Sequence, residues 1–266
     1  MVFVNYNRER EELAAADVPA GRAVTTFVTG REESGKTALL QWFRAAHGIA
    51  NRILYIDVAD PAAAETPRGV MSTFITELRA DTFEDYWTQE RENFPNIAII
   101  RDVQIQGSNN EIKAVSGGVA IADQLANLIP LTRAFVAGVM TASGPDNPVV
   151  LCVDGYSSTE ELTRLWIRRQ LVRMMRPLPF ARLVIAGRKQ PDPDLLGADQ
   201  DLHIIELRGI HDVGEWLRAA QELGCILAAN PREVEAGLRM LIDYADGHPG
   251  NIMSWLRSKA QARHDR

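Results

Sequence analysis

Gly30-Arg31-Glu32-Glu33-Ser34-Gly35-Lys36-Thr37 is the stretch on which the fold turns. It meets every fixed position of the pattern G-x-x-x-x-G-K-[ST]. Glycines at 30 and 35 let a loop turn tightly and bring backbone N–H groups close to an anion. Lys36 adds a point charge, and the Thr37 hydroxyl is a ligand for Mg²⁺. The flanks suit this loop. Residues 23–29 (Ala-Val-Thr-Thr-Phe-Val-Thr) are β-rich. Leu39, Leu40, Phe43 and Ala46 follow at helical spacing. Strand, loop and helix in that order predict a phosphate cradle facing the positive end of a helix. Its expected binding residues are Gly30, Ser34, Gly35, Lys36, Thr37 and Ala38.

Outward from the loop, strand and helix signals alternate, which predicts an α/β fold with a mainly parallel sheet. Four more strands are read at 52–58, 148–154, 181–187 and 202–207. The runs at 148–154 and 181–187 are continuously apolar, as in strands covered on both faces. The order suits the ATPase branch, with an extra strand between the P-loop strand and the one ending in Asp154. Residues from about 67 to 147 read as an insertion beside the sheet. It holds a helix at 70–78, a hairpin with arms at 97–106 and 111–115 around Gly107-Ser108-Asn109-Asn110, and a helix near 120–128 that resumes after Pro130. Either structural decoration or a partner surface fits that region.

Past residue 207 the alternation stops and helical signals take over. Asp212 with Glu215 resembles a capping box. Asn230-Pro231 opens a second helix with Val234, Leu238, Leu241 and Ile242 on one face. Gly247-His248-Pro249 ends it, and a last helix carries Ile252, Trp255 and Leu256. The expected organisation is a P-loop core over 1–207 and an all-helical lid over 208–266.

A P-loop needs a metal-holding acid. Asp154, closing an apolar strand, is the expected Walker B residue and shares the Mg²⁺ with Thr37. The next position, where many active ATPases place a second acid, is Gly155. Glu160 and Glu161 are the nearest carboxylates, and both also read as ordinary charge at a helix start. Without a clear base, slow turnover is expected. Arg188, at the carboxyl end of its strand, is placed to reach a γ-phosphate; the alternative is a solvated loop residue. Lys36, Asp154 and Arg188 form the expected catalytic set. Asp57 reads as a loop cap. Arg164, Arg168, Arg169, Arg173 and Arg176 fit a solvated basic face or a subunit contact.

Composition sets bounds on partners. The 266 residues carry a net charge of −6, which disfavours a broad nucleic-acid surface. Two cysteines in unrelated contexts offer no zinc spacing and fit a reducing cytoplasm. The opening Met1-Val2-Phe3 shows no signal-peptide pattern, and no apolar run is read as long enough to span a membrane. There is no Asn-Lys-x-Asp for guanine selection and no Leu-Ser-Gly-Gly-Gln of an ABC cassette.

Several motifs, in order, resemble the STAND-class NTPases related to NACHT and apoptotic-ATPase modules. Phe3-Val4-Asn5-Tyr6-Asn7-Arg8-Glu9 is similar to a Phe-Val-Asn-Arg-Glu opening, with two extra residues before the arginine. Val153-Asp154-Gly155-Tyr156 resembles the family's Walker B, and Val184-Ile185-Ala186-Gly187-Arg188 its sensor strand. Ile205-Glu206-Leu207-Arg208-Gly209-Ile210 resembles the link to the lid, and Gly247-His248-Pro249 the Gly-x-Pro motif. The resemblance implies ATP/ADP and Mg²⁺ as ligands, with Asn5, Arg8 and Pro249 near the adenine. It implies a slow ATPase switch that self-associates or acts on separate effector or sensor subunits, often in defence systems. An AAA-like motor, with Arg176 acting in trans, and a non-hydrolysing scaffold are the competing readings.

Overall fold

The computed structural model describes residues 6–15, 25–48, 52–60, 66–78, 80–94, 121–189, 202–224 and 231–264. Strands β1 (Thr25–Gly30), β2 (Arg52–Asp57), β3 (Val149–Asp154), β4 (Ala181–Gly187) and β5 (Leu202–Leu207) form one sheet in the order β2-β3-β4-β1-β5. Every pairing is parallel. β4 therefore lies between the P-loop strand and the strand ending in Asp154, as expected from the sequence.

Side chains alternate along each strand, and the two sets build two cores. Phe27, Leu54, Ile56, Leu151, Val153, Leu183 and Ile185 face one way. Val28, Ile53, Val150, Cys152, Val184, Ala186 and Ile205 face the other. The first face is covered by helices α3 (Pro67–Glu77), α4 (Glu84–Asn93) and α5 (Ile121–Ala142), and by α6 (Glu161–Trp166), which runs through a π turn (Ile167–Leu171) into α7 (Val172–Met175). The second is covered by α1 (Asn7–Ala15) and α2 (Lys36–His47). The lid helices α8 (Val213–Glu222), α9 (Pro231–Tyr244) and α10 (Pro249–His264) join this second core through Trp216, Leu238, Ile242, Ile252 and Leu256.

Several details differ from the sequence expectation. Helix α5 does not break at Pro130 but runs on for 22 residues. Pro130 withdraws one donor from the helix ladder. Nearby, Gln170 Nε2 donates to the Leu125 carbonyl at 2.5 Å, while Thr132 Oγ1 bonds Gln170 Oε1 at 3.1 Å and accepts from Trp166 Nε1 at 2.9 Å. This buried network clamps α5 to the π turn, and tertiary contacts hold the helix across the proline. By length and composition α5 is also long and apolar enough to cross a membrane, contrary to the expectation that no such run exists. Its Leu125, Leu128, Leu131, Phe135 and Val139 are buried in the protein core. The region read as an insertion beside the sheet thus supplies most of one covering layer. The hairpin expected at 97–115 lies outside the described residues.

Candidate functional site

The site gathers where the parallel strands end. β1 ends at Gly30 and the loop turns through Glu33 at φ 56° and Gly35 at φ 94° into α2. No side chain caps that helix, so its first N–H groups point outward without an intrahelical acceptor. Lys36 Nζ folds back over the loop. It donates to the carbonyls of Gly30 (2.8 Å) and Arg31 (2.6 Å), with Ser34 Oγ at 3.2 Å. Burial lowers its pKa, opposed by the nearby charges of Asp154 and Glu32 and reinforced by Arg188. Ala38 lies in the first turn of α2.

Adjacent to it, Thr37 Oγ1 donates to Asp154 Oδ2 at 2.6 Å. Asp154 is 4% exposed and also accepts from Tyr55 Oη at 2.9 Å and from the Gly155 amide at 2.8 Å. A hydroxyl beside one carboxylate is an oxygen donor set of the kind Mg²⁺ takes, with water and phosphate completing the shell. Among the described residues no cluster of three His, Cys, Asp or Glu side chains forms a metal cage. Tyr55 carries no motif, so the sequence does not mark it. Its hydroxyl, desolvated and next to Asp154, has its pKa pushed well up and stays a proton donor.

Gly155 explains the missing second acid. Its φ is +75°, and a Cβ there would lie 2.5 Å from Asp57 Oδ1 and 2.7 Å from the Ala59 Cβ. Asp57 itself accepts from the Ala59 amide at 2.9 Å, the loop-cap role expected for it. A Gly155→Glu replacement is expected to lower stability by about 2 kcal/mol, from backbone strain plus overlap, without raising ATP turnover. Thermal unfolding and a phosphate-release assay check this; a faster, equally stable variant contradicts it. Glu160 and Glu161 stand exposed at the start of α6.

Arg188 follows β4, next to β1 in the sheet. Its amide donates to Ser157 Oγ at 2.8 Å and its guanidinium to Glu32 Oε1 at 2.9 Å. It therefore reaches the P-loop directly, held in place by Ser157, which the sequence did not single out.

The C-terminal helical region meets the same loop through His248, whose Nε2 lies 2.7 Å from the Glu32 carbonyl oxygen; within that region Ile210 N donates to Gly247 O at 2.7 Å. Tyr6 Oη donates to Ser34 O at 2.6 Å and to Arg208 O at 3.0 Å, tying the N-terminal segment, the loop and the link together. Between loop and lid lies a cleft of about 360 Å³, with Gly30, Ser34, Arg188, Arg208, His248 and Pro249 on its walls. Arg8 is not part of this gathering. It is exposed and pairs with Glu12 at 2.8 Å, because α1 turns its side chain outward while Tyr6 faces in. Asn5 lies outside the described residues.

No family model and no curated protein matches the sequence. Solved structures share its fold. The Walker-type ATPase Paby2304 of Pyrococcus abyssi aligns with a TM-score of 0.50 at 12% identity, over 98% of this chain and 71% of that one. Drosophila ORC bound to DNA aligns with a TM-score of 0.51 at 12% identity, over 90% of this chain and 55% of the other. Identity that low carries the fold and not the activity. With its strand order, its loop between β1 and α2, and Asp154 ending β3, the chain has the fold of a P-loop NTPase.

Proposed function

We propose that the chain is an ATP/ADP-binding switch module with slow ATPase activity, of the STAND type, that controls self-assembly or the activation of separate protein subunits in a signalling or defence system. The observation that carries this reading is the lid turn seated on the P-loop through His248 and Glu32, at the site where Arg188 also reaches in. A nucleotide in the cleft touches core and lid together, so its phosphate count biases how the two sit.

Each residue has a part. The N–H groups at the start of α2 and Lys36 bind the phosphate chain. Thr37 and Asp154 hold Mg²⁺, with Tyr55 orienting the Asp154 carboxylate. When bound, the metal neutralises charge building on the β- and γ-phosphates. Arg188 reads the terminal phosphate. Pro249, a buried wall of the cleft, packs on the base. No carboxylate follows Asp154 to orient water, so turnover is slow and the nucleotide state persists.

The test is to purify the chain, identify the nucleotide released on denaturation, and compare its mass by sedimentation with Mg-ADP and with Mg-ATPγS. A retained adenine nucleotide and a larger species with ATPγS are expected. Rapid multiple turnover with one unchanging mass favours a motor and overturns the switch.

A further inference from the structure

Glu32 occupies the third position of the P-loop, where the pattern accepts any residue. Both its side chain and its backbone are nonetheless engaged. The carboxylate accepts from Arg188 Nη2 at 2.9 Å. The backbone oxygen lies 2.7 Å from His248 Nε2 in the lid turn. The next residue is pressed as well, because a Cβ on Gly250 would lie 2.5 Å from the Glu33 Cβ. Ser157 pins the Arg188 backbone, so the guanidinium has a fixed root from which to reach the loop. Glu32 thus joins the candidate phosphate sensor to the lid.

We infer that Glu32 is a specificity-determining residue that sets diphosphate against triphosphate, because its carboxylate holds the guanidinium that a γ-phosphate needs. The inference rests on the nucleotide reading above and goes beyond it. A terminal phosphate arriving at Arg188 must displace the carboxylate or stand beside it. Displacement trades one charge-assisted hydrogen bond for another. Standing beside it brings two anions together. A diphosphate ends before this point and meets neither cost.

The size of the effect follows from exposure. The Arg188 and Glu32 side chains are 49% and 69% exposed, so solvent screens the pair and the preference is several-fold rather than many orders of magnitude. A several-fold preference moves a balanced two-state equilibrium by that same factor. Lys36 folds over the same loop, its Nζ bonded to the Gly30 and Arg31 carbonyls. Removing the Glu32 charge leaves two cations facing the same space, and a γ-phosphate is the anion that relieves them. The backbone carbonyl of the same residue meets His248, so the ion pair and the lid contact share one loop position.

The test is calorimetric titration of the full chain with Mg-ADP and with Mg-ATPγS, for wild type, Glu32→Gln, Arg188→Ala and the double variant. Wild type is expected to bind both, with ADP tighter. Glu32→Gln is expected to shift the ratio of the two dissociation constants about fivefold toward ATPγS. Glu32→Ala, which cannot bond Arg188 at all, should shift it in the same direction. In the Arg188→Ala background the Glu32→Gln shift should fall below about twofold. An unchanged ratio in both Glu32 variants overturns the inference while leaving nucleotide binding intact. A full shift that persists without Arg188 also overturns it, since plain repulsion would then suffice. A wild-type chain that binds neither nucleotide overturns the nucleotide reading itself.

Discussion

Lys36→Ala is expected to weaken ADP binding about 100-fold, from loss of two charge-assisted hydrogen bonds worth about 1.5 kcal/mol each. Lys36 Nζ already folds over the loop, within bonding distance of Gly30 O, Arg31 O and Ser34 Oγ. Its ammonium is therefore held over the cradle, and phosphate oxygens replace loop oxygens as its acceptors. Fold stability should change by less than about 1 kcal/mol, because water can reach the loop carbonyls that Lys36 releases. Calorimetry with ADP, beside a thermal melt of the same variant, separates the two effects. Affinity retained within about threefold in a folded variant removes Lys36 from the site.

Asp154→Asn is expected to abolish Mg²⁺ stimulation and to slow ATP turnover about 100-fold, the loss of several kcal/mol of charge stabilisation. The fold tolerates this substitution. Asp154 accepts from three donors: the Thr37 and Tyr55 hydroxyls and the Gly155 amide. The amide cannot reverse, so the asparagine oxygen is expected to take it. The two hydroxyls can rotate and accept from the new NH₂ group. Hydrogen bonds survive and the charge does not. Single-turnover hydrolysis across a Mg²⁺ titration checks the result. A variant with wild-type Mg²⁺ dependence places the metal elsewhere.

The sheet was largely legible because buried parallel strands write themselves as apolar runs. β4 and β5 match the expected 181–187 and 202–207, and the strand expected between the P-loop strand and the one ending in Asp154 is β4. The Asp212 cap is likewise where the sequence places it, accepting from the Glu215 amide at 3.1 Å. Helix α4 was not legible. Its sequence is mostly polar and only Tyr86 is fully buried, so no apolar period announces it. It is held from outside instead, by the half-buried Arg68–Glu90 pair at 2.7 Å and by Tyr86 in the core. The continuity of α5 across Pro130 was hidden for the same reason, since Gln170 and Trp166 are distant in sequence.

At the site, the sequence marks residues whose chemistry is stereotyped: Lys36, Thr37, Asp154 and the strand-end Arg188. It does not mark residues that act by meeting those. Tyr55 alternates in an ordinary strand, Ser157 sits in an ordinary turn, and Tyr6 carries no charge. His248 is the variable middle position of the Gly-x-Pro stretch, and its role shows only where it meets Glu32. Arg8 shows the converse. A motif resemblance placed it near the base, yet α1 turns it toward Glu12 and solvent.

On the proposed reading one cleft reports its phosphate count to the lid. The His248 imidazole, whose Nε2 meets the Glu32 carbonyl where the lid turn touches the P-loop, is the most direct reporter. Its ring resonances should be recorded by NMR with saturating Mg-ADP and with saturating Mg-ATPγS. With ADP the ring is expected to keep the shifts of a hydrogen-bonded imidazole, and with ATPγS to move toward those of a free one, reflecting a lid that has loosened. Identical ring resonances with both nucleotides, in a chain that binds both, contradict this reading.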